Sequence, residues 1–197
     1  MSKGSLFVIS GPSGTGKGTV CAELLKEDNI FLSISATTRD MRVGEAEGVT
    51  YYYITTEKFE KMIENGDVLE YAVYDGNYYG TPKKAVTEML DNEKNVILEI
   101  EPQGALKVKA LMPEAILMFI VPPSIEELRR RLKERGREDD AAIERRINAA
   151  KWEITQSPKY NHVIVNDTLD ECVKETLSII KSENDRQQMI EKLLSEI

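Results

Sequence analysis

The run Gly11-Pro12-Ser13-Gly14-Thr15-Gly16-Lys17-Gly18-Thr19 constrains this chain more than any other segment. It follows the short β-rich run Ser5–Ser10 and opens a stretch carrying Val20, Leu24 and Leu25 at helical spacing. Glycines let the backbone turn so tightly that several N–H groups point inward at one anion. The positive end of the following helix adds to the attraction. Lys17 is placed to meet the terminal phosphates of a bound nucleotide as a point charge. Strand, glycine-rich turn and helix in this order form the setting of a phosphate-binding loop. The usual pattern has Ser or Thr directly after the lysine, as a Mg²⁺ ligand. Here Gly18 holds that slot and Thr19 follows, about 100° further round the helix.

The rest of the chain alternates strand-like and helix-like segments. Phe31–Ser35, Val68–Tyr74, Val96–Ile100, Ala115–Val121 and, as a last buried strand, Val163–Val165 read as strands. The runs VILEI and AILMFIV are near-continuously apolar, as expected of parallel strands covered on both faces. Helices are expected at Thr56–Asn65, Lys83–Asn92, Ala105–Leu111, from Ser124 to about Arg135, after a polar break at 136–140 through Trp152, and from Leu169. Trp152 is expected in the core. The apolar residues from Ile190 to Ile197 follow a polar break at Lys181–Gln188 and are expected either to pack on the core or to self-associate. This pattern predicts an α/β three-layer sandwich around a central parallel sheet. Residues 36–82, rich in Tyr and Gly with a turn at Asp75-Gly76-Asn77, break the rhythm and read as an inserted subdomain. Residues 126–146 read as a charged helical lid, which leaves a core of about 1–35, 83–125 and 147–197 in a single domain.

Composition narrows the partners. With 34 acidic and 26 basic side chains the chain carries −8, which argues against a nucleic-acid binder. No apolar run approaches the ~20 residues of a membrane span, so no membrane partner is expected. Two cysteines without metal-like spacing fit a cytoplasmic setting. A monomer or a homodimer is equally compatible.

The acceptor is indicated by a second group of motifs. These are the run from Ser35 through Arg39, Arg42, Gly44, Glu45 and Gly48 to Tyr51; Glu70; the turn Gly76 to Thr81; and Glu99 to Gly104. Pro122-Pro123-Ser124, Arg131, Arg135-Gly136 and Val165-Asn166-Asp167 follow in order. Together they resemble the guanylate kinase family over nearly the whole chain. The resemblance implies transfer of the ATP γ-phosphoryl group to GMP, and to dGMP, with Mg²⁺ as cofactor. By that resemblance ATP lies on Gly11 to Thr19, with Asn166 at the adenine and Arg135 nearby. Ser35, Arg39, Arg42, Tyr51, Glu70, Tyr79, Thr81 and Glu101 take GMP.

The residue types suit those roles. Arg39 and Arg42 present two guanidinium forks to one phosphate dianion. Glu70, an acceptor only, matches the adjacent N1–H and 2-amino donors of guanine, which adenine lacks. Ser35 and Thr81 hydroxyls are expected to donate to guanine O6. Lys17, Arg39, Arg131, Arg135 and Arg146 are the candidates for stabilising charge on the transferring group. Glu99 and Glu101 stand at alternate positions, hence on one face; with Thr19 they are the candidates for holding Mg²⁺, in part through water. Arg137 departs from the small polar residue usual after Arg135-Gly136, and the lone histidine, His162, reads as structural. Two rival readings remain at this level: a kinase for another small acceptor such as AMP, and a peptide-binding module. The intact loop favours an enzyme.

Overall fold

The computed structural model describes residues 3–134 and 139–196. Nine strands run in chain order: β1 Leu6–Ser10, β2 Ile30–Leu32, β3 Ala36–Thr37, β4 Tyr52–Tyr53, β5 Val68–Tyr74, β6 Asn77–Pro82, β7 Asn95–Glu99, β8 Ile116–Val121 and β9 His162–Val165. The α-helices are α1 Lys17–Leu24, α2 Thr56–Glu64, α3 Lys83–Asp91, α4 Pro102–Leu111, α5 Ile125–Glu134, α6 Asp140–Ile154 and α7 Leu169–Ser195.

Five strands form a sheet in the order β2-β7-β1-β8-β9, parallel throughout. Side chains alternate across it because successive Cβ atoms of a strand point to opposite faces. Phe7 and Ile9 of β1 therefore enter one core with Val20, Leu24, Cys172 and Ile180 from α1 and α7. Leu6 and Val8 enter the other, with Val86, Leu90, Ala105 and Val108 from α3 and α4. The two apolar layers hold the C-terminal ends of β1, β7 and β8 beside one another, where open parallel sheets bind ligands.

Residues 36–82 carry a separate four-stranded sheet, ordered β4-β3-β6-β5. Its hairpin turns at Asp75 (φ 49°) and Gly76 (φ 74°), the paired left-handed conformation that a two-residue hairpin needs. Asn77–Pro82, most of which falls in the Gly76–Thr81 segment read as a turn, is strand β6: it pairs with both β5 and β3, so tertiary pairing overrides local composition. The strand expected at Phe31–Ser35 ends at Leu32, after which the chain leaves the first sheet for the second.

Three further expectations are corrected. Trp152 is 51% exposed, because Ile143, Ile147 and Ala150 form the buried face of α6 against Leu128 and Leu132 of α5. Only Ile164 of β9 is buried; the strand lies at a sheet edge and Val163 and Val165 are about half exposed. The expected break at Lys181–Gln188 is absent: α7 runs unbroken for 27 residues, about 40 Å. Thr168 caps its start by accepting from the Glu171 N–H. His162 Nε2 lies 3.0 Å from the Glu183 carboxyl of α7, within hydrogen-bond distance.

Candidate active site

The loop between β1 and α1 takes its shape from three left-handed glycines, Gly11 (φ 143°), Gly14 (φ 94°) and Gly16 (φ 88°). Gly11 also has no room for a side chain: a Cβ there would lie 2.1 Å from the Ile120 carbonyl oxygen. Thr15 is fully buried, and both its hydroxyl (2.9 Å) and its N–H (3.3 Å) donate to the Pro12 carbonyl, so it serves the loop's shape. The buried Asn166 amide donates to the Thr15 carbonyl at 2.7 Å, tying the loop to the end of β9. No side chain caps α1 and no acid occupies its first turn, so the helix end keeps its affinity for an anion.

Lys17 turns back on the loop in this form. Its ammonium donates to the carbonyls of Gly11 (2.6 Å) and Pro12 (3.0 Å). Arg146, on α6, donates to the Ser13 hydroxyl at 2.5 Å and so joins that helix to the loop. Arg131, on α5, donates to Glu127 (2.7 Å) and to the Asp167 carbonyl (3.1 Å), which sets it beside Asn166. Arg135 and Arg137 lie outside the described residues.

Glu99 ends β7 and faces the helix start: a Cβ on Gly18 would lie 3.7 Å from both its carboxyl oxygens. Burial pushes its carboxyl up, and the Lys17 charge pulls it partway back. Glu101 is exposed at the N-cap of α4, and Thr19 is exposed on α1. Near them lies Glu153 of α6, an acid that the sequence did not single out. Its Oε2 is buried without a hydrogen-bond partner, and its carboxyl is pushed up to about 7 by burial and by the charge of Glu101.

Among the described residues no three acids, cysteines or histidines are grouped to hold a metal by themselves. An orphaned carboxylate oxygen at Glu153, with Glu99 beside the space at Gly18, fits a different mode. Mg²⁺ keeps several waters and takes one or two carboxylates together with phosphate oxygens.

The second half of the site lies on the small sheet. Arg39 is nearly enclosed. It donates to Glu45 at 2.8 Å and to the Asp40 carbonyl at 2.6 Å, and Tyr79 lies within electrostatic reach of it. Its guanidinium lies over the rings of Tyr51 (5.7 Å) and Tyr53 (5.9 Å). Glu45 also accepts from the Arg42 N–H and the Tyr53 hydroxyl, both at 2.8 Å. Held first by Arg39 and then by the Arg42 N–H, its carboxyl is lowered to about 2. The loop from Arg39 to Tyr53 is thus organised around one carboxylate, which leaves the Arg42 side chain exposed. Glu45 belonged to the sequence motif, but nothing local disclosed its role as hub.

Glu70 of β5 is buried, and Thr81 of β6 donates to its Oε1 at 2.8 Å. Burial pushes the Glu70 carboxyl up; the Thr81 hydroxyl and the Lys107 ammonium pull it partway down. A hydroxyl carries one proton, so Thr81 cannot donate to Glu70 and to a base oxygen together. In this form it orients Glu70, and Ser35 remains the hydroxyl available for that oxygen.

The two halves meet through β7 and α4. Glu99 lies within electrostatic reach of both Lys17 and Tyr51. The family model described as guanylate kinase matches residues 3–183. The chain belongs to the guanylate kinase family.

Relatives within this family are close in sequence and length. A guanylate kinase of Clostridium tetani is 52% identical over 190 residues, covering 96% of this chain and 91% of the relative. One from Clostridium perfringens is 50% identical over 195 residues, covering 98% and 90%. The crystal structure of guanylate kinase from Anaplasma phagocytophilum superposes with a TM-score of 0.74 at 36% identity, covering 92% of this chain and 87% of that one. Both sheets of this guanylate kinase family member, and the loop between β1 and α1, fall inside the matched residues.

Proposed function

We infer that the protein transfers the γ-phosphoryl group of ATP to GMP, yielding ADP and GDP, and accepts dGMP in the same pocket. The observation that carries the choice of acceptor is Glu70, a buried carboxylate oriented by Thr81 on the small sheet. It accepts from guanine N1–H and the 2-amino group, whereas adenine would set a lone pair against it. Leaving a buried charged acceptor unpaired disfavours the wrong base by about 1–3 kcal/mol or more.

The residues divide the work. Backbone N–H groups from Ser13 to Thr19 receive the ATP phosphates, and Lys17 exchanges the carbonyls of Gly11 and Pro12 for phosphate oxygens. Asn166 stands at the adenine side. Arg39, already braced by Glu45, grips the GMP phosphate with Arg42, Tyr51 and Tyr79. Ser35, Thr81, Glu70 and Glu101 surround the base and ribose.

Phosphoryl transfer rests on positioning and on stabilising charge spread over the equatorial oxygens. Arg131 and Arg146, with Arg135, supply positive charge there as the lid closes over the loop. Closure excludes water, which suppresses ATP hydrolysis. Glu99 and Glu101, with Thr19 at the rim, would hold Mg²⁺ through water, and the ion would neutralise charge on the β- and γ-phosphates. A coupled assay with ATP, Mg²⁺ and a panel of monophosphates tests the assignment. GMP and dGMP are expected to turn over; equal turnover of GMP and AMP would refute the role given to Glu70.

A further inference from the structure

The base-reading carboxylate belongs to the small sheet, yet what it rests on belongs to the core. Helix α4 begins at Pro102, its N-cap Glu101 makes no side-chain cap, and its first turn holds no acid. Its first backbone bond runs from the Ala105 N–H to the Glu101 carbonyl at 3.0 Å, so the Gln103 and Gly104 amides precede the helical ladder. The Glu70 carboxylate lies against this open, positive end of the helix. A Cβ on Gly104 would meet Glu70 Oε2 at 2.7 Å, Cδ at 3.1 Å and Cγ at 3.4 Å.

Gly104 needs no glycine for its backbone. It is absent from the positive-φ glycines and sits in an α-helix, where alanine is favoured by roughly 1 kcal/mol. All three nearest atoms to its absent Cβ belong to one side chain, Glu70. Gly80, on the strand paired with β5, makes the contrast clear: its Cβ would strike the Glu70 backbone oxygen at 2.5 Å, where nothing can yield. The same face of α4 carries Lys107, three residues on. Its ammonium donates to the Tyr71 carbonyl at 3.1 Å and lies over the Tyr71 ring at 5.3 Å, fixing β5 against the helix at the residue after Glu70.

We propose that Gly104 is a positioning residue for guanine selection: its missing side chain forms the seat in which the first turn of α4 holds the Glu70 carboxylate at the base edge. The proposal deepens the reading of Glu70 and rests on it. Acceptor choice is then set jointly by the two sheets' scaffolds, with α4 of the core placing a group that β5 only carries.

The test uses the full-length protein as Gly104→Ala, Glu70→Gln and the double variant, with melting temperature, kcat, KM for ATP and KM for GMP and AMP measured on each. In Gly104→Ala the added methyl meets only a flexible tip, so the melting temperature should hold or rise. KM for GMP should rise on the order of 10- to 100-fold, the range expected when hydrogen bonds to a charged acceptor are lost. KM for ATP should stay within about threefold, and GMP/AMP discrimination should fall. In the Glu70→Gln background the methyl still meets a side-chain tip of the same shape, but the carboxylate's bonds to guanine are already lost, so its effect on KM for GMP should be far smaller than in the parent.

A Gly104→Ala protein with unchanged KM for GMP would overturn the proposal. So would one with a much lower melting temperature, or one whose effect is as large without the carboxylate. If Glu70→Gln itself kept full GMP/AMP discrimination, the reading of Glu70 would fall and the proposal with it. If Glu70→Gln lost discrimination while Gly104→Ala kept it, the proposal alone would fall.

Discussion

Replacing Glu70 by Gln should move stability and activity in opposite directions. The carboxylate is 7% exposed, and burial pushes its pKa above the ordinary range, with Thr81 and Lys107 only partly opposing. In the unfolded chain the same group ionises freely near neutral pH. Folding without a ligand therefore works against its charge, and an amide of equal shape relieves that penalty. The sign fixes the pH dependence: a raised acid destabilises the folded form above its folded pKa, and the penalty fades as pH falls through that value. The variant should melt higher than the parent at neutral and alkaline pH, and the gap should close on acidification.

Activity should move the other way. A carboxylate accepts from two guanine donors, whereas Gln turns one acceptor into a donor facing them. The loss is about 1.5–3 kcal/mol for a hydrogen bond to a charged group, or roughly 10- to 150-fold in kcat/KM for GMP. Thermal melts across pH and steady-state kinetics with GMP and AMP measure both effects. A variant that melts no higher and keeps its GMP/AMP ratio would refute the argument that this acid is held under strain to read the base.

Lys17→Ala should lower kcat by more than about 100-fold, as a preorganised charge at the transferring group is lost; calorimetry with GMP alone should find affinity nearly unchanged. Glu45→Gln should raise KM for GMP by on the order of tenfold, since Arg39, the Arg42 backbone and Tyr53 all converge on that carboxylate, while KM for ATP holds. Glu153, raised to about 7, should make the folded protein less stable as pH climbs from the ordinary carboxylate range to about 7, with no further loss above that, and Glu153→Gln should flatten that part of the melting-temperature profile. Asn166→Ala removes the 2.7 Å bond to the Thr15 carbonyl and should weaken ATP binding measured by titration, with GMP binding intact.

Much of this molecule was written in contiguous stretches of chain. The glycine-rich loop between β1 and α1 is legible because its glycines, lysine and flanking elements are neighbours, and left-handed backbone at Gly11, Gly14 and Gly16 is a local demand. Strands β7 and β8 are legible because burial on both faces leaves an apolar run, and the β5 turn because Asp75-Gly76 suits a two-residue hairpin. Tertiary structure alone decided the rest. Strand β6 exists through its pairing with β3 and β5, although Gly80 and Pro82 within it speak for a turn. Glu153 comes within electrostatic reach of Glu101 and Lys17 only through the fold, and Trp152 is left outside because Ile143, Ile147 and Ala150 are the face of α6 that packs on α5. Glu70 rests on Gly104, and Arg39 on Glu45 and Tyr79, through contacts that cross strands and subdomains. Periodicity and turn preference act over a few residues. The approach of two side chains from distant segments depends on how every intervening element packs, and no local pattern carries that information.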